Sequence, residues 1–334
     1  MNFLSFIADR LMHEKSHGQH RMPLFQKVCS KQIQGTGNFP MLRKINQAPK
    51  CHYVHHFEPY LKLGPFHLEV KMYIPFRTIV HDFFTENEMN WMVDFSRPTL
   101  TSSRIKQVFN PSNKTSQSKH KVEVVSKAIT KWFHDIQYNE EQTYKKISFD
   151  GMPLKYNIPP LKDPYSYSIK LNTMYRVSKR IELITSLNVT SRFGASAYQA
   201  TNYGLSGMVV THIDPWGFES GVDIVEERVD LLRTGDFIAT FMGYLAHTEA
   251  GGGTCFPASD FEGLLEPTKG SAAFWINLVS SHDIDNRAAH GGCPVLKGQK
   301  WILNKWIYSW DQWKKMPCFL ERGITIPPFR GMSV

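Results

Sequence analysis

From residue 165 onward, the sequence consists of short runs rich in β-branched and aromatic residues, separated by turns. This feature constrains the fold most, because many short strands after an early helical section are typical of a β-sandwich or barrel with helices packed outside. The predicted runs are residues 165–177, 196–203, 208–213, 237–245, 272–278 and 301–308. We therefore expect a mainly β fold with flanking helices.

Two helices are predicted before this region. Thr85 is a suitable N-cap, and Glu88 completes a capping box three residues later. Apolar residues then follow at helical spacing until Pro98 ends the helix. A second helix is predicted over residues 122–138, where apolar side chains share one helical face, and residues 101–121 are expected to form a loop.

The composition is that of a globular protein, with 334 residues, 42% of them hydrophobic and 21% charged. No apolar run reaches the roughly 18 residues of a transmembrane helix, so no membrane span is expected. Residues 1–75 hold ten Lys/Arg and four Asp/Glu, which is +6 of the formal net charge of +9. Because no nucleic-acid-binding motif accompanies this charge, we interpret residues 1–75 as a solvated basic extension without a nucleic-acid partner.

His212 and Asp214 end a predicted strand, where side chains two residues apart point to the same face. A third ligand from a remote strand would complete a face of two histidines and one carboxylate, which leaves open coordination positions as non-haem Fe(II) oxygenases require. The pair alone is weak evidence, because the chain has 14 histidines and three His-x-Glu pairs. A surface or capping histidine is the alternative.

His290 and Lys300 strengthen the pattern. His290 begins the run His-Gly-Gly-Cys-Pro-Val-Leu, and Lys300 follows ten positions later at the start of Lys-Trp-Ile-Leu-Asn-Lys-Trp. An ammonium in an apolar pocket needs an anionic partner, which a dicarboxylate that chelates the iron at its other end would supply. The alternative, a surface lysine, is less favoured because Trp and Ile follow it.

The spaced motifs together resemble the catalytic domain of the prolyl 4-hydroxylase α-subunit family. The resemblance runs over residues 76–318, which we take as the domain, and residues 319–334 are a C-terminal tail. The motifs are Tyr175-Arg-Val-Ser-Lys179, Asn202-Tyr-Gly, His212-x-Asp214, Phe237-Ile-Ala-Thr240, Ala250-Gly-Gly-Gly-Thr-Cys-Phe-Pro257, Lys269-Gly-Ser-Ala-Ala-Phe-Trp275, His290-x-x-Cys-Pro-Val and Lys300-Trp.

This resemblance implies a double-stranded β-helix that binds Fe(II), 2-oxoglutarate and O₂. The positions that match the family's iron ligands are His212, Asp214 and His290. Lys300 matches the lysine that pairs with the distal carboxylate of 2-oxoglutarate. The positions that match the lining of that cosubstrate pocket are Tyr203, Thr254 and Trp306. The implied reaction converts 2-oxoglutarate to succinate and CO₂ and hydroxylates proline in a peptide or protein such as a collagen-like chain, with L-ascorbate as the reductant of oxidised iron.

The five cysteines are also compared with the family. The resemblance implies one disulfide between Cys29 and Cys51 and another between Cys293 and Cys318, with Cys255 as a small apolar side chain in a buried strand. A zinc site over residues 51–56 is a weaker alternative, because no regular second ligand pair follows. Two disulfides favour an oxidising compartment. We therefore expect the endoplasmic reticulum lumen or secretory pathway and a disulfide-isomerase-like subunit, although residues 1–12 do not resemble a signal peptide.

Three positions depart from the family near the substrate. Val209 replaces a tyrosine, Phe237 replaces a peptide-contacting arginine, and Tyr308 replaces a histidine. Replacing Arg by Phe removes a charge and a hydrogen-bonding fork. Two hypotheses follow. The first is an active hydroxylase of an unusual or short-peptide substrate, favoured by the complete iron and cosubstrate set. The second is a non-enzymatic paralogue that binds a protein partner.

Overall fold

The computed structural model describes residues 25, 29, 51–54, 64–102, 105–109, 120–124, 129–133, 164–191, 193–215, 234–257, 263–318 and 320. Two α-helices lie wholly within these ranges, α1 (Glu86–Ser96) and α2 (Pro164–Thr185), and residues 25, 29 and 234 are also helical. Three short 3-10 turns span Arg97–Thr99, Asn286–Ala288 and Trp310–Gln312.

A nine-stranded antiparallel sheet forms the centre of the fold. In spatial order its strands are β1 (Cys51–Val54), β2 (Phe66–Tyr73), β3 (Phe76–His81), β14 (Ala272–Ile276), β10 (Phe237–Tyr244), β17 (Lys300–Tyr308), β8 (Tyr198–Tyr203), β7 (Ile129–Phe133) and β4 (Thr101–Ser102).

A four-stranded antiparallel sheet accompanies it, and two strand pairs complete the β-structure. The four strands, in spatial order, are β13 (Gly263–Leu265), β12 (Thr254–Phe256), β15 (His290–Gly292) and β9 (Val209–His212). The pairs are β11 (Ala250–Gly251) with β16 (Val295–Lys297), and β5 (Ile105–Phe109) with β6 (His120–Val124).

Two apolar clusters lie on the two faces of the large sheet. One contains α1 and α2 residues packed against sheet residues such as Phe241 and Phe274. The other joins Trp275 of the large sheet to Val209 and Phe256 of the small sheet. The small sheet therefore covers one face of the large sheet and the helices cover the other, so the predicted double-stranded β-helix with flanking helices is confirmed.

Helix α1 begins as the sequence predicts. Thr85 is its N-cap, the side chains of Thr85 and Glu88 form the reciprocal capping box, and the helix ends before Pro98. Arg180 of α2 pairs with Glu88 and donates a hydrogen bond to the Phe83 carbonyl at 2.6 Å. The capped end of α1 is thereby tied to α2.

Three secondary-structure predictions are wrong. The helix predicted over residues 122–138 is replaced by the end of β6 and by β7, because β-branched residues there form strands and β7 pairs with β8 of the large sheet. The predicted loop over residues 101–121 contains β4 and β5. The strand predicted over residues 165–177 lies in α2.

The alternation of tyrosine and serine at the start of α2 is a strand-like pattern and explains the wrong prediction. The buried residues of α2 instead follow helical spacing. Met174, Val177, Ile181 and Ile184 are separated by three, four and three positions, and all are buried.

The predicted boundary between residues 75 and 76 falls between two paired strands, since β2 pairs with β3. Phe25 and Cys29 are also buried with the small sheet. The predicted tail 319–334, apart from residue 320, lies outside the described residues. No helix in the described ranges is long and apolar enough to cross a membrane.

Candidate metal centre and cosubstrate pocket

Three side chains predicted as iron ligands converge between β9 and β15. His212 and His290 are directly opposite each other in the antiparallel register, and their ring centroids lie 4.5 Å apart. The His212 Nε2 atom is 3.6 Å from Asp214 Oδ1, and the His290 Nε2 atom is 3.7 Å from Asp214 Oδ2. The three ligand atoms lie within 4.8 Å of one another, so one ion could contact them all.

Both imidazoles are oriented by backbone carbonyls. The Nδ1 atom of His212 lies 3.0 Å from the Val210 carbonyl oxygen, and that of His290 lies 3.0 Å from the Ala288 carbonyl oxygen. Because a carbonyl oxygen can only accept, the ring proton belongs on Nδ1 in each case. Each Nε2 lone pair is therefore directed towards the Asp214 carboxylate, as a metal ligand requires.

Asp214 is held by residues of the large sheet. Thr240 Oγ1 donates to Asp214 Oδ2 at 2.6 Å, and Asn277 Nδ2 donates to Thr240 Oγ1 at 2.9 Å. Thr240 belongs to one of the motifs that carry the family resemblance, but no role is predicted from the sequence for Thr240 or Asn277. A hydroxyl on β10 thus fixes one carboxylate oxygen, as second-shell hydrogen bonds do in metal sites.

Burial makes His290 a neutral ligand candidate. Desolvation lowers its pKa to about 4, although the Asp214 charge opposes this shift. At neutral pH the imidazole is therefore unprotonated, which is the form that binds a metal ion.

Lys300 begins β17 and is almost fully buried, with 3% of its surface exposed. Its Nζ atom donates to Thr254 Oγ1 at 3.2 Å and lies 5.6 Å from the ring centroid of Tyr203 and 5.8 Å from that of Tyr244. Tyr244 in turn donates its hydroxyl to Thr254 at 3.1 Å. The three residues predicted at this end of the pocket, Lys300, Tyr203 and Thr254, are thus brought together.

The Lys300 ammonium is poorly compensated. Burial lowers its pKa to about 8, while the charges of Cys255 and Glu266 act in the opposite direction. Within the described part of the chain, its hydrogen bond is to a neutral hydroxyl rather than to a carboxylate. A buried cation in this state is a site for an anionic group.

Strand β15 carries one candidate metal ligand, His290, and also passes close to the Lys300 side chain of β17. Gly292 is two residues after His290, and a Cβ atom placed there would lie 3.8 Å from Lys300 Nζ. Two strand residues span about 7 Å. The same Cβ atom would lie 3.2 Å from Cγ1 of Val209, the register partner of Gly292, so a side chain at position 292 would crowd the space between His290 and Lys300.

The remaining predicted residues form an aromatic strip at the opposite end of β17. Phe237 stacks on Trp306 with ring centroids 5.8 Å apart and on Tyr308 at 5.4 Å. Trp306 is directly opposite Thr240, the residue that holds Asp214. The structure thus places Trp306 beside Thr240, six residues and about 20 Å of strand beyond Lys300.

The predicted disulfide pairs are wrong. Cys29 is bonded to Cys293, with Cα atoms 5.4 Å apart, and both are buried in the core. Cys51 is a free, exposed thiol on β1. Cys318 is also free and exposed, 3.3 Å from the Ser281 carbonyl oxygen. The burial of Cys29 against the small sheet decides the pairing, and motif comparison could not reveal it. Of the alternative zinc site over residues 51–56, residues 55 and 56 lie outside the described ranges.

The sequence of this region matches a known family. Residues 198–308 match the sequence model of the 2OG-Fe(II) oxygenase superfamily. The matched residues include His212, Asp214, His290 and Lys300.

Curated relatives of the chain are prolyl 4-hydroxylase α-subunits. Subunit alpha-2 of Caenorhabditis elegans is 28% identical over 300 residues, which are 90% of this chain and 45% of the relative. Subunit alpha-1 of Gallus gallus is 38% identical over 146 residues, or 44% of this chain and 26% of the relative. These matches confirm the predicted resemblance. The chain spans less than half the length of these relatives.

Among solved structures, the chain is similar to a viral collagen prolyl hydroxylase from Paramecium Bursaria Chlorella virus-1, determined as a 2OG complex. The sequence identity is 16% and the TM-score is 0.42, with 70% of this chain and 95% of that chain covered.

Proposed function

We propose that this chain is an Fe(II)- and 2-oxoglutarate-dependent dioxygenase that hydroxylates proline in a peptide or protein substrate. The observation that carries the proposal is the convergence of two Nε2 lone pairs and one carboxylate within 4.8 Å. These donors lie close to a buried lysine that has no carboxylate partner among the residues that the structure describes. Two histidines and one carboxylate with open positions are the donor set of non-haem Fe(II) oxygenases. The residues therefore fit the group that the family binds.

In this proposal His212, Asp214 and His290 hold Fe(II), which supplies the oxidising chemistry when bound with O₂ and 2-oxoglutarate. Lys300 and Thr254 bind the distal carboxylate of 2-oxoglutarate through an ammonium and a hydroxyl. Tyr203 and Tyr244 flank that ammonium with apolar ring surface and exclude water from it. L-Ascorbate is the proposed reductant.

The chain's own contribution is positioning. The Val210 and Ala288 carbonyls hold the imidazole protons on Nδ1, and Thr240 fixes one oxygen of Asp214. These contacts hold the three donors in place before the metal binds, which lowers the cost of ordering them.

The aromatic strip of Phe237, Trp306 and Tyr308 is the proposed substrate surface. Its rings lie next to the Thr240–Asp214 pair and are partly exposed. An apolar ring such as proline packs well on stacked aromatic faces, and no arginine charge remains at position 237 to select an anionic or strongly polar neighbour. Val209 borders the cosubstrate end and extends the apolar surroundings.

Residues 76–318, together with the paired strand β2, are the proposed catalytic unit. Its proposed setting is the endoplasmic reticulum lumen or secretory pathway, supported by the buried Cys29–Cys293 disulfide. A disulfide-isomerase-like subunit is a proposed partner, and a proline-rich, collagen-like chain is a proposed substrate.

The test is peptide-dependent turnover. Purified protein with Fe(II), 2-oxoglutarate, ascorbate and a proline-rich peptide library should release succinate and produce hydroxyproline detectable by mass spectrometry. His212→Ala should abolish both products, whereas His247→Ala, a matched change at an exposed histidine, should retain them. Bound iron without peptide-stimulated succinate release would contradict the proposal and support the non-enzymatic alternative, which the complete residue set does not favour.

A further inference from the structure

Three cysteine sulfurs meet beside the small sheet. Cys29 and Cys293 are joined by a disulfide, and the free Cys255 Sγ atom lies 3.9 Å from Cys29 Sγ. All three sulfur atoms lie within 4.8 Å of one another, and the three residues are at most 2% exposed. A free thiol is therefore in contact with a disulfide inside the core.

The cluster lies on the face of β12 opposite to the cosubstrate pocket. Thr254 contacts Lys300, and Phe256 lies under the Arg77 guanidinium, so both of these β12 side chains face the large sheet. Because strand side chains alternate, Cys255 between them points to the other face, towards Cys29.

Two catalytic strands adjoin this cluster. Cys255 is the register partner of Gly291, which follows the candidate ligand His290. The Cys293 backbone N–H donates to the Gly253 carbonyl at 2.8 Å. Phe25 packs so closely over Gly291 that a Cβ atom there would lie 2.7 Å from its ring. The Phe25 and Cys29 side chains thus lie against the strand that carries His290.

We propose that Cys29, Cys255 and Cys293 form a thiol–disulfide exchange site in which Cys255 and Cys293 compete for Cys29. The Cys255 thiol gives its proton to water, and its thiolate attacks Cys29 Sγ. A Cys29–Cys255 bond forms as the Cys29–Cys293 bond breaks, and Cys293 leaves as a thiolate that takes up a proton. One disulfide and one thiol exist before and after, so no oxidant or reductant is consumed.

The exchange changes which strand is tied to Cys29. In one form the covalent link is to Cys293, three residues after His290. In the other form it is to Cys255, next to Thr254, whose hydroxyl accepts from Lys300. Resting on the proposed function, this predicts that the two forms bind 2-oxoglutarate with different affinity.

Burial sets the rate of the exchange. It raises the pKa of the Cys255 thiol to about 12, although the charges of Lys300 and Arg77 act against this shift. Only the thiolate attacks, so the exchange is slow near neutral pH. As long as the pH is below that pKa, each increase of one pH unit should make the exchange about ten times faster.

The test is disulfide mapping of the full chain without added oxidant or reductant. Samples held at pH 7 and at pH 9.5 are quenched in acid, alkylated while unfolded, digested and analysed by mass spectrometry. We expect a Cys29–Cys255 peptide that forms faster at pH 9.5, at constant total disulfide. Cys51→Ser, at an exposed thiol outside the cluster, should leave this peptide unchanged, and Cys255→Ala should abolish it.

A second variant makes the result independent of the exchange rate. In a glutathione redox buffer, Cys293→Ser should form Cys29–Cys255, whereas Cys293→Ser combined with Cys255→Ala should leave Cys29 reduced. Two results would overturn the proposal. One is that the natural chain contains only the Cys29–Cys293 disulfide while Cys29 and Cys255 stay reduced in folded Cys293→Ser. The other is a disulfide between Cys29 and Cys51. His212→Ala should still exchange, so loss of hydroxylase activity and loss of exchange are distinguishable.

Discussion

The buried Lys300 ammonium makes cosubstrate binding depend on pH in a calculable way. Burial lowers its pKa to about 8 in the free protein, so most of it is protonated at pH 7 and about one tenth at pH 9. The carboxylates of 2-oxoglutarate are ionised throughout this range, and in the proposed site the distal one binds the protonated lysine. The apparent dissociation constant should therefore be nearly constant below about pH 7 and rise about tenfold between pH 7 and pH 9, or about 1.4 kcal/mol.

Calorimetric titration of 2-oxoglutarate into protein loaded with Mn(II), which avoids turnover, measures this ratio. Lys300→Arg is the matched control, because a guanidinium stays charged to above pH 12. The affinity of this variant for 2-oxoglutarate should therefore not change between pH 7 and pH 9. Lys300→Met should bind about ten- to a hundredfold more weakly at pH 7, since a charge-assisted hydrogen bond is lost.

The His290 titration does not interfere, because its pKa of about 4 lies far below the range tested. Any effect of hydroxide on the metal is shared by the Lys300→Arg protein. An affinity that falls equally in the natural chain and in Lys300→Arg, or that is unchanged in both, would refute the assignment of Lys300 as the titrating carboxylate partner.

Three further predictions concern neighbouring residues. Thr240→Val removes the hydrogen bond to the Asp214 carboxylate and should weaken Mn(II) binding about tenfold or more by calorimetry, whereas Thr248→Val should not; equal affinities would count against the positioning role. Arg77→Met removes a buried guanidinium whose Nε and Nη2 atoms have no hydrogen-bond partner in the described residues, and should raise the free energy of unfolding in denaturant by about 1 kcal/mol; a loss of that size would contradict it. Phe237→Arg should raise kcat/KM several-fold for peptides with an acidic residue near the proline, and a change equal for neutral peptides would show that charge is not the cause.

The sequence predicts a structural feature correctly where the residues that determine it are close together in the chain. The capping box of Thr85 and Glu88 predicts the start of α1, because both partners lie within one helical turn. The spacing of His212 and Asp214 predicts a shared face, because the alternation of a strand is local. In both cases the structure places the side chains as the pattern indicates.

The errors occur where a distant partner decides the outcome. Residues 129–133 form a strand because they pair with β8, about 70 positions away, and a helical pattern over the same residues cannot report that partner. The Cys29–Cys293 disulfide joins residues 264 positions apart, so it depends on how the chain around Cys29 packs on the small sheet. The Thr240–Asp214 hydrogen bond is missed for the same reason.

Charge balance explains why the metal and the cosubstrate should bind cooperatively. With neutral imidazoles, the two charged groups proposed to contact the metal and the cosubstrate are the Asp214 carboxylate and the Lys300 ammonium, which cancel. Fe(II) alone would leave two uncompensated positive charges in a low-dielectric interior, and a dicarboxylate alone would leave two negative ones. Only the two together restore neutrality. Each should therefore bind more tightly in the presence of the other, and by linkage the two increases in affinity must be equal.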